Sequence, residues 1–263
     1  MRSLLWRLFD NLLVPAPEKG RAGWLTRFTY AHRGLHSAGV VENSPSAFFG
    51  AITQGFGIEC DVRKTRDGRA IVFHDETLDR LTKASGPVAD RSVGEITSIL
   101  LSGSDEHIPT LRDLVAQIGS KVPLLIELKT RRERPVGPLC LAVRAELEGY
   151  SGAVAVMSFD PRVAQWFAHH APQLLRGLVM TETDGTGARQ RLQRRLMFWR
   201  ARPDFLAYDI ASLPSVFAAE QRVRGMPVLT WTVASADQLA LAADHADANI
   251  AEGEGLVTRA DDA

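Results

Sequence analysis

At 263 residues, with 45% hydrophobic and 24% charged side chains, the chain can bury a large core and suits one large α/β domain as well as two smaller ones. Its 31 basic and 31 acidic residues balance, which excludes a global field able to hold nucleic acid or an anionic membrane. Two cysteines, Cys60 and Cys140, do not look like a disulfide framework and fit a reducing, cytoplasmic setting.

Residues 1–14 place apolar side chains at 1, 4, 5, 8, 9, 12 and 13, a helical stripe. Arg7 and Asp10 interrupt any continuous apolar core of a signal peptide, and the stretch is too short and too charged to span a bilayer. The pattern predicts an N-terminal amphipathic extension, residues 1–27, followed by one large domain over 28–263. The helix is expected to pack on its own domain. The second reading lays it in a membrane interface, a peripheral membrane contact with Trp6 at the boundary.

Beyond it, short apolar runs alternate with helical patterns, the signature of βα units on a parallel sheet. Strands are predicted over 28–32, 57–62, 124–129, 153–159, 175–180, 205–209, 228–232 and 248–251. A helix is predicted from the Ser44-Pro45 cap to Gly55. Others follow over 92–101, 111–118, 137–148, 161–169, 187–199, 214–224 and 236–244. The run 70–73 is too close to the preceding strand for a parallel crossover, so it is expected to return as a hairpin arm after the Asp67-Gly68 turn. Eight βα-type strands remain, the count of a (β/α)8 TIM barrel. An open doubly wound sheet is the second choice, but no Gly-rich phosphate loop follows the first strand.

The chain is organised around residues 57–75. Glu59 and Asp61 are two apart on a strand and share a face, with apolar Ile58, Cys60 and Val62 around them. Glu127 and Lys129 repeat that spacing on the third predicted strand, as part of the same site or as an internal ion pair. In a barrel, polar residues at the C-terminal strand ends carry the chemistry, and here these are His32-Arg33-Gly34, Glu59, Asp61, Glu127, Lys129, Ser158-Phe159 and Trp231. Paired carboxylates repel unless a cation or hydrogen-bond donors stand between them. Three of them without a thiolate select one hard divalent ion, Ca²⁺ or Mg²⁺. Arg33 and Lys129 have no obvious acidic partner in sequence and suit a phosphate, while His32 and His74 could face each other across a bound ester. The set points to metal-assisted phosphodiester cleavage by general acid/base catalysis.

Ala31-His32-Arg33-Gly34, Glu42-Asn43-Ser44, Glu59-Cys60-Asp61-Val62, Asp67-Gly68 and Val72-Phe73-His74-Asp75 closely resemble the motifs of the glycerophosphodiester phosphodiesterases. The likeness continues through residues 77–82, Ile126-Glu127-Leu128-Lys129, Ser158-Phe159 and Thr230-Trp231-Thr232-Val233. It implies a (β/α)8 barrel, Glu59, Asp61 and Glu127 as metal ligands, and His32 and His74 as the acid/base pair. Arg33, Lys129, Phe159 and Trp231 would bind substrate. Glu42 would support the inner residues, or be a plain loop acid before the helix cap. The implied reaction releases sn-glycerol 3-phosphate and an alcohol from a small glycerophosphodiester, with the substrate's own 2-hydroxyl attacking phosphorus. The pattern departs at Ala234 and over 248–253, which bears on the pocket wall and headgroup choice. Two alternatives stand beside it. One is a phospholipase D-like enzyme on lysophospholipids at a membrane surface, using the N-terminal helix and the arginine-rich segment 186–202. The other is a non-catalytic phosphate-binding barrel.

Overall fold

The structure, a computed structural model, describes residues 2–257. In chain order it comprises α1 (Arg2–Leu13), α2 (Lys19–Ala22), β1 (Tyr30–Ala31), α3 (Pro45–Thr53), β2 (Gly57–Lys64), β3 (Ala70–Val72), α4 (Val93–Thr97) and α5 (Leu111–Ile118). There follow β4 (Leu124–Leu128), α6 (Gly137–Glu146), β5 (Val154–Ser158), α7 (Pro161–His170), β6 (Leu175–Met180) and α8 (Ala188–Ala201). The chain ends with β7 (Phe205–Asp209), α9 (Val216–Val223), β8 (Val228–Val233), α10 (Ala236–His245) and β9 (Ala248–Ala251). Within each compact unit the described strands pair in parallel, β3 excepted. No described helix is long and apolar enough to cross a membrane.

The described residues fall into two compact units, one from Tyr30 to Val154 and the other made of the residues up to Thr29 with those from Ala155 onward. In the first, β2 is the central strand, parallel to β1 through Ala31↔Ile58 and to β4 through Asp61↔Glu127. The expected hairpin is present. β3 runs antiparallel to β2, with Val62 opposite Val72, and the turn closes by Gly68 N–H donating to the Thr65 carbonyl at 3.1 Å. Ser44 caps α3 by accepting from the Ala47 N–H at 3.2 Å, with Pro45 at the first helical position. Between β3 and α5 the chain builds a small core of its own from Ile71, Phe73, Leu78, Val88, Ile96, Leu101 and Ile108. The helix predicted over 92–101 is cut to Val93–Thr97 because Leu100 and Leu101 bridge to His107 and Thr82 instead.

The predicted first strand also shortens, to Tyr30–Ala31. His32 and Arg33 leave it in a turn whose Arg33 and Gly34 have φ of 55° and 81°. A Cβ on Gly34 would lie 2.9 Å from the Ala47 carbonyl carbon, against the backbone of α3. Gly34→Ala should therefore cost stability through both the left-handed backbone and the clash, by about 1–3 kcal/mol. Urea unfolding of the variant measures it, and an unchanged midpoint and slope would contradict this account.

In the second unit, β6 to β9 run parallel in sequence order beside β5, with a core that includes Val14, Leu178, Phe198, Leu206, Tyr208 and Phe217. α1 is held there by its one acid. Asp10 is fully buried, paired with Arg195, and accepts from Trp199 Nε1 at 2.7 Å and Gln221 Nε2 at 3.1 Å. Arg194 is likewise buried and paired with Glu182 at 3.1 Å. The arginine-rich segment is thus only partly a solvated face, since two of its cations are internal.

Candidate active site

β2 and β4 place the three carboxylates. Glu59 and Asp61 share a face of β2, and the parallel register sets Glu127 beside Asp61. Oxygens of Glu59, Asp61 and Glu127 all lie within 4.8 Å of one another, and all three residues are buried. Burial first, then the neighbouring charges of Asp61 and Glu127, pushes the Glu59 carboxyl well above the ordinary carboxylate range. Burial would raise Asp61 too, but Lys129, Arg33 and His74 hold it below its usual value.

Both cations are paired with the carboxylates. Lys129 Nζ sits 2.7 Å from Glu127 Oε1 and 3.0 Å from Asp61 Oδ1. Arg33 Nε lies 3.2 Å from Asp61 Oδ2, and the Arg33 backbone N–H donates to Glu59 Oε2 at 3.1 Å. That last bond needs the left-handed Arg33, so the turn after β1 is part of the site.

Glu42 is held between two arginines. It accepts from Arg33 Nη1 at 2.8 Å and from Arg80 Nη2 at 2.7 Å and Nη1 at 3.0 Å. Arg80 also donates to Asp75 through Nε at 2.6 Å, and Asp75 Oδ1 lies 2.7 Å from His74 Nδ1. The chain Arg33–Glu42–Arg80–Asp75–His74 thus ties Arg33 to the histidine. His74 is half-buried. Its pKa is lowered, mainly by burial and further by Lys129 and Arg33, against the opposing charge of Asp61. His32 stands in the turn one residue before Arg33, half-buried, with a ring nitrogen within 4.8 Å of one on His36.

Asn43 and Arg80 had no role read from the sequence. Asn43, at φ 57°, donates Nδ2–H to Asp61 Oδ2 at 2.9 Å and accepts from the Asp61 backbone N–H at 3.3 Å. Both residues sit inside the motifs that carried the family likeness, which was the available signal. Phe159 and Trp231 lie in the other unit, after β5 and within β8, with rings edge to face at 5.4 Å between centroids. Trp231 Nε1 is tied to the Ala207 carbonyl at 2.9 Å. Of the histidines set aside, His107, His169 and His170 are exposed.

The family model described as the glycerophosphoryl diester phosphodiesterase family matches residues 32–258. A glycerophosphodiester phosphodiesterase of Caldanaerobacter subterraneus subsp. tengcongensis is 43% identical over 108 residues, 38% of this chain and 44% of that protein. The chain therefore spans less than half of that relative's length. A probable glycerophosphodiester phosphodiesterase 2 of Mycobacterium tuberculosis is 31% identical over 211 residues, 78% of this chain and 72% of that protein. Among solved structures, a phosphodiesterase of Oleispira antarctica in complex with its product sn-glycerol-3-phosphate superposes with a TM-score of 0.72 at 22% identity, covering 85% of this chain and 92% of that one. A structure from Agrobacterium tumefaciens described as a putative glycerophosphoryl diester phosphodiesterase gives 0.73 at 20% identity, covering 87% of this chain and 94% of that one. The fold is the (β/α)8 barrel.

Proposed function

The chain belongs to the glycerophosphoryl diester phosphodiesterase family, and from that premise we propose that it hydrolyses small glycerophosphodiesters to sn-glycerol 3-phosphate and an alcohol. The observation that carries the reading is the buried trio Glu59, Asp61 and Glu127, bordered by Arg33, Lys129 and the Asp75-held His74. Like charges this close, in a site that drives the Glu59 carboxyl upward, fit a hard oxygen donor set for one divalent ion, Ca²⁺ or Mg²⁺. When bound there, such an ion would supply charge neutralisation and Lewis-acid polarisation at the phosphodiester.

The side chains divide the remaining work. Arg33 offers a planar fork to the phosphate oxygens and Lys129 a point charge. Asp75 fixes His74 through Nδ1, leaving Nε2 to exchange a proton, and the lowered pKa keeps the ring neutral at pH 7, the state of a general base. In the proposed sequence the glycerol 2-hydroxyl bonds to phosphorus as its proton passes to His74. The bond from phosphorus to the alcohol oxygen breaks, and that oxygen takes a proton from His32. Water then opens the cyclic phosphate, returning a proton to O2 and giving sn-glycerol 3-phosphate. Making the attack intramolecular removes the entropic cost of bringing a nucleophile to the site. Phe159 and Trp231 are assigned to substrate contact on motif likeness.

Release of sn-glycerol 3-phosphate from glycerophosphocholine, measured with each divalent ion, tests the activity, and lysophosphatidylcholine in parallel tests the lipid alternative. A 2-deoxy analogue of glycerophosphocholine is expected to bind as a competitive inhibitor and turn over poorly. Rapid hydrolysis of that analogue would rule out attack by the 2-hydroxyl.

A further inference from the structure

α1 presents an apolar strip outward. Its one acid, Asp10, points inward to Arg195, Trp199 and Gln221, while Leu8 and Leu12, one turn apart, are 61% and 78% exposed, and Phe9 is exposed beside them. The apolar face continues onto α8. The Phe9 ring lies 6.1 Å from that of Trp199, and Leu196 and Leu192, three and seven residues before Trp199, are also exposed. Arg189 and Arg200 bracket these leucines at helical spacing on the same outer face, and Arg7 is exposed on α1. No acid occurs in α8, and the acid of α1 is neutralised underneath.

An apolar patch fringed by arginines, with no exposed acid in either helix, fits one surface, the anionic face of a phospholipid bilayer. We infer that the α1–α8 face docks the protein on anionic membrane, with Leu8, Phe9, Leu12, Leu192 and Leu196 entering the acyl boundary and Arg7, Arg189 and Arg200 meeting the headgroup charges. The balanced net charge of the chain is no obstacle, because the cations are concentrated locally and headgroup attraction acts within about 8–10 Å. A second copy of the chain would also cover apolar side chains, but it would bring the same fringe of arginines against itself across a two-fold interface.

The test is cosedimentation of the full chain with mixed phosphatidylcholine–phosphatidylglycerol vesicles and with phosphatidylcholine vesicles. The protein should pellet with the mixed vesicles and be released by salt. Leu8→Ser with Leu12→Ser should weaken partitioning at least about tenfold, and Arg189→Gln with Arg200→Gln by about fivefold per arginine. Circular dichroism confirms that each variant is folded. Glycerophosphocholine hydrolysis is expected to be unchanged, and absence of that activity in the parent would leave the vesicle result standing. Equal binding to phosphatidylcholine alone, no binding to either vesicle, or a concentration-dependent dimer abolished by the leucine substitutions would each overturn the inference.

Discussion

Replacing Glu59 by glutamine is expected to lower kcat/KM on glycerophosphodiesters by at least about 10²–10³-fold, while leaving the metal-free protein as stable as the parent or more so. The two effects have one cause. Glu59 is buried beside Asp61 and Glu127, and its folded carboxyl holds a proton more tightly than an unfolded one. A carboxyl raised in this way costs stability increasingly as pH rises above its ordinary value of 4.5, since the unfolded chain ionises it freely. Glutamine removes the charge, keeps the volume, and can still accept from the Arg33 N–H. What is lost is one hard ligand, so the rise in Tm on adding Ca²⁺ or Mg²⁺, large for the parent by mass action, should shrink. A variant that kept both the parental rate and the cation-dependent Tm would remove the carboxylate trio from consideration as the metal centre.

The carboxylates were legible because the two-residue period of a strand is a local rule that needs no tertiary information. The strands β6, β7 and β9 and helix α5 were legible for a similar reason, having clear apolar runs bounded by turn residues. The misses are where distant contacts override local pattern. β2 runs two residues past its predicted end because Arg63 and Lys64 pair with Ile71 and Ala70. The small core between β3 and α5 dissolved half of a predicted helix into bridges. In the site, Arg33 looked unpartnered because Asp61 lies on another element, and Lys129 joins its near neighbour Glu127 to that same distant carboxylate. Asn43 and Arg80 act across 18 and 38 residues, on Asp61 and Glu42. Asn43 also depends on a left-handed backbone that no periodicity announces. The same limit applied to α1. Its stripe was visible, but only the burial of Asp10 decides which face looks outward.

Changing His74 to alanine should lower kcat by about 10²–10⁴-fold, with KM moving far less. The ring is positioned rather than merely present. Asp75 Oδ1 holds Nδ1 at 2.7 Å, and Arg80 holds Asp75 through two donors while also binding Glu42. For a base, burial that lowers the pKa shifts the protonation step to more acidic pH. The acidic limb of kcat/KM is therefore expected below the ordinary histidine value of 6.5, with activity falling as pH drops through it. The limb should vanish with the residual rate of His74→Ala. His32→Ala should lose a comparable factor with ordinary leaving groups, and recover much of it on a nitrophenyl diester, whose departing oxygen needs no proton. Arg80→Gln touches neither substrate nor reacting atoms, and it should lower kcat by misplacing His74 through Asp75, with Arg80→Lys restoring part of the loss. If both histidine variants raised KM and left kcat intact, the pair would be binding groups, and proton transfer would have to be sought elsewhere.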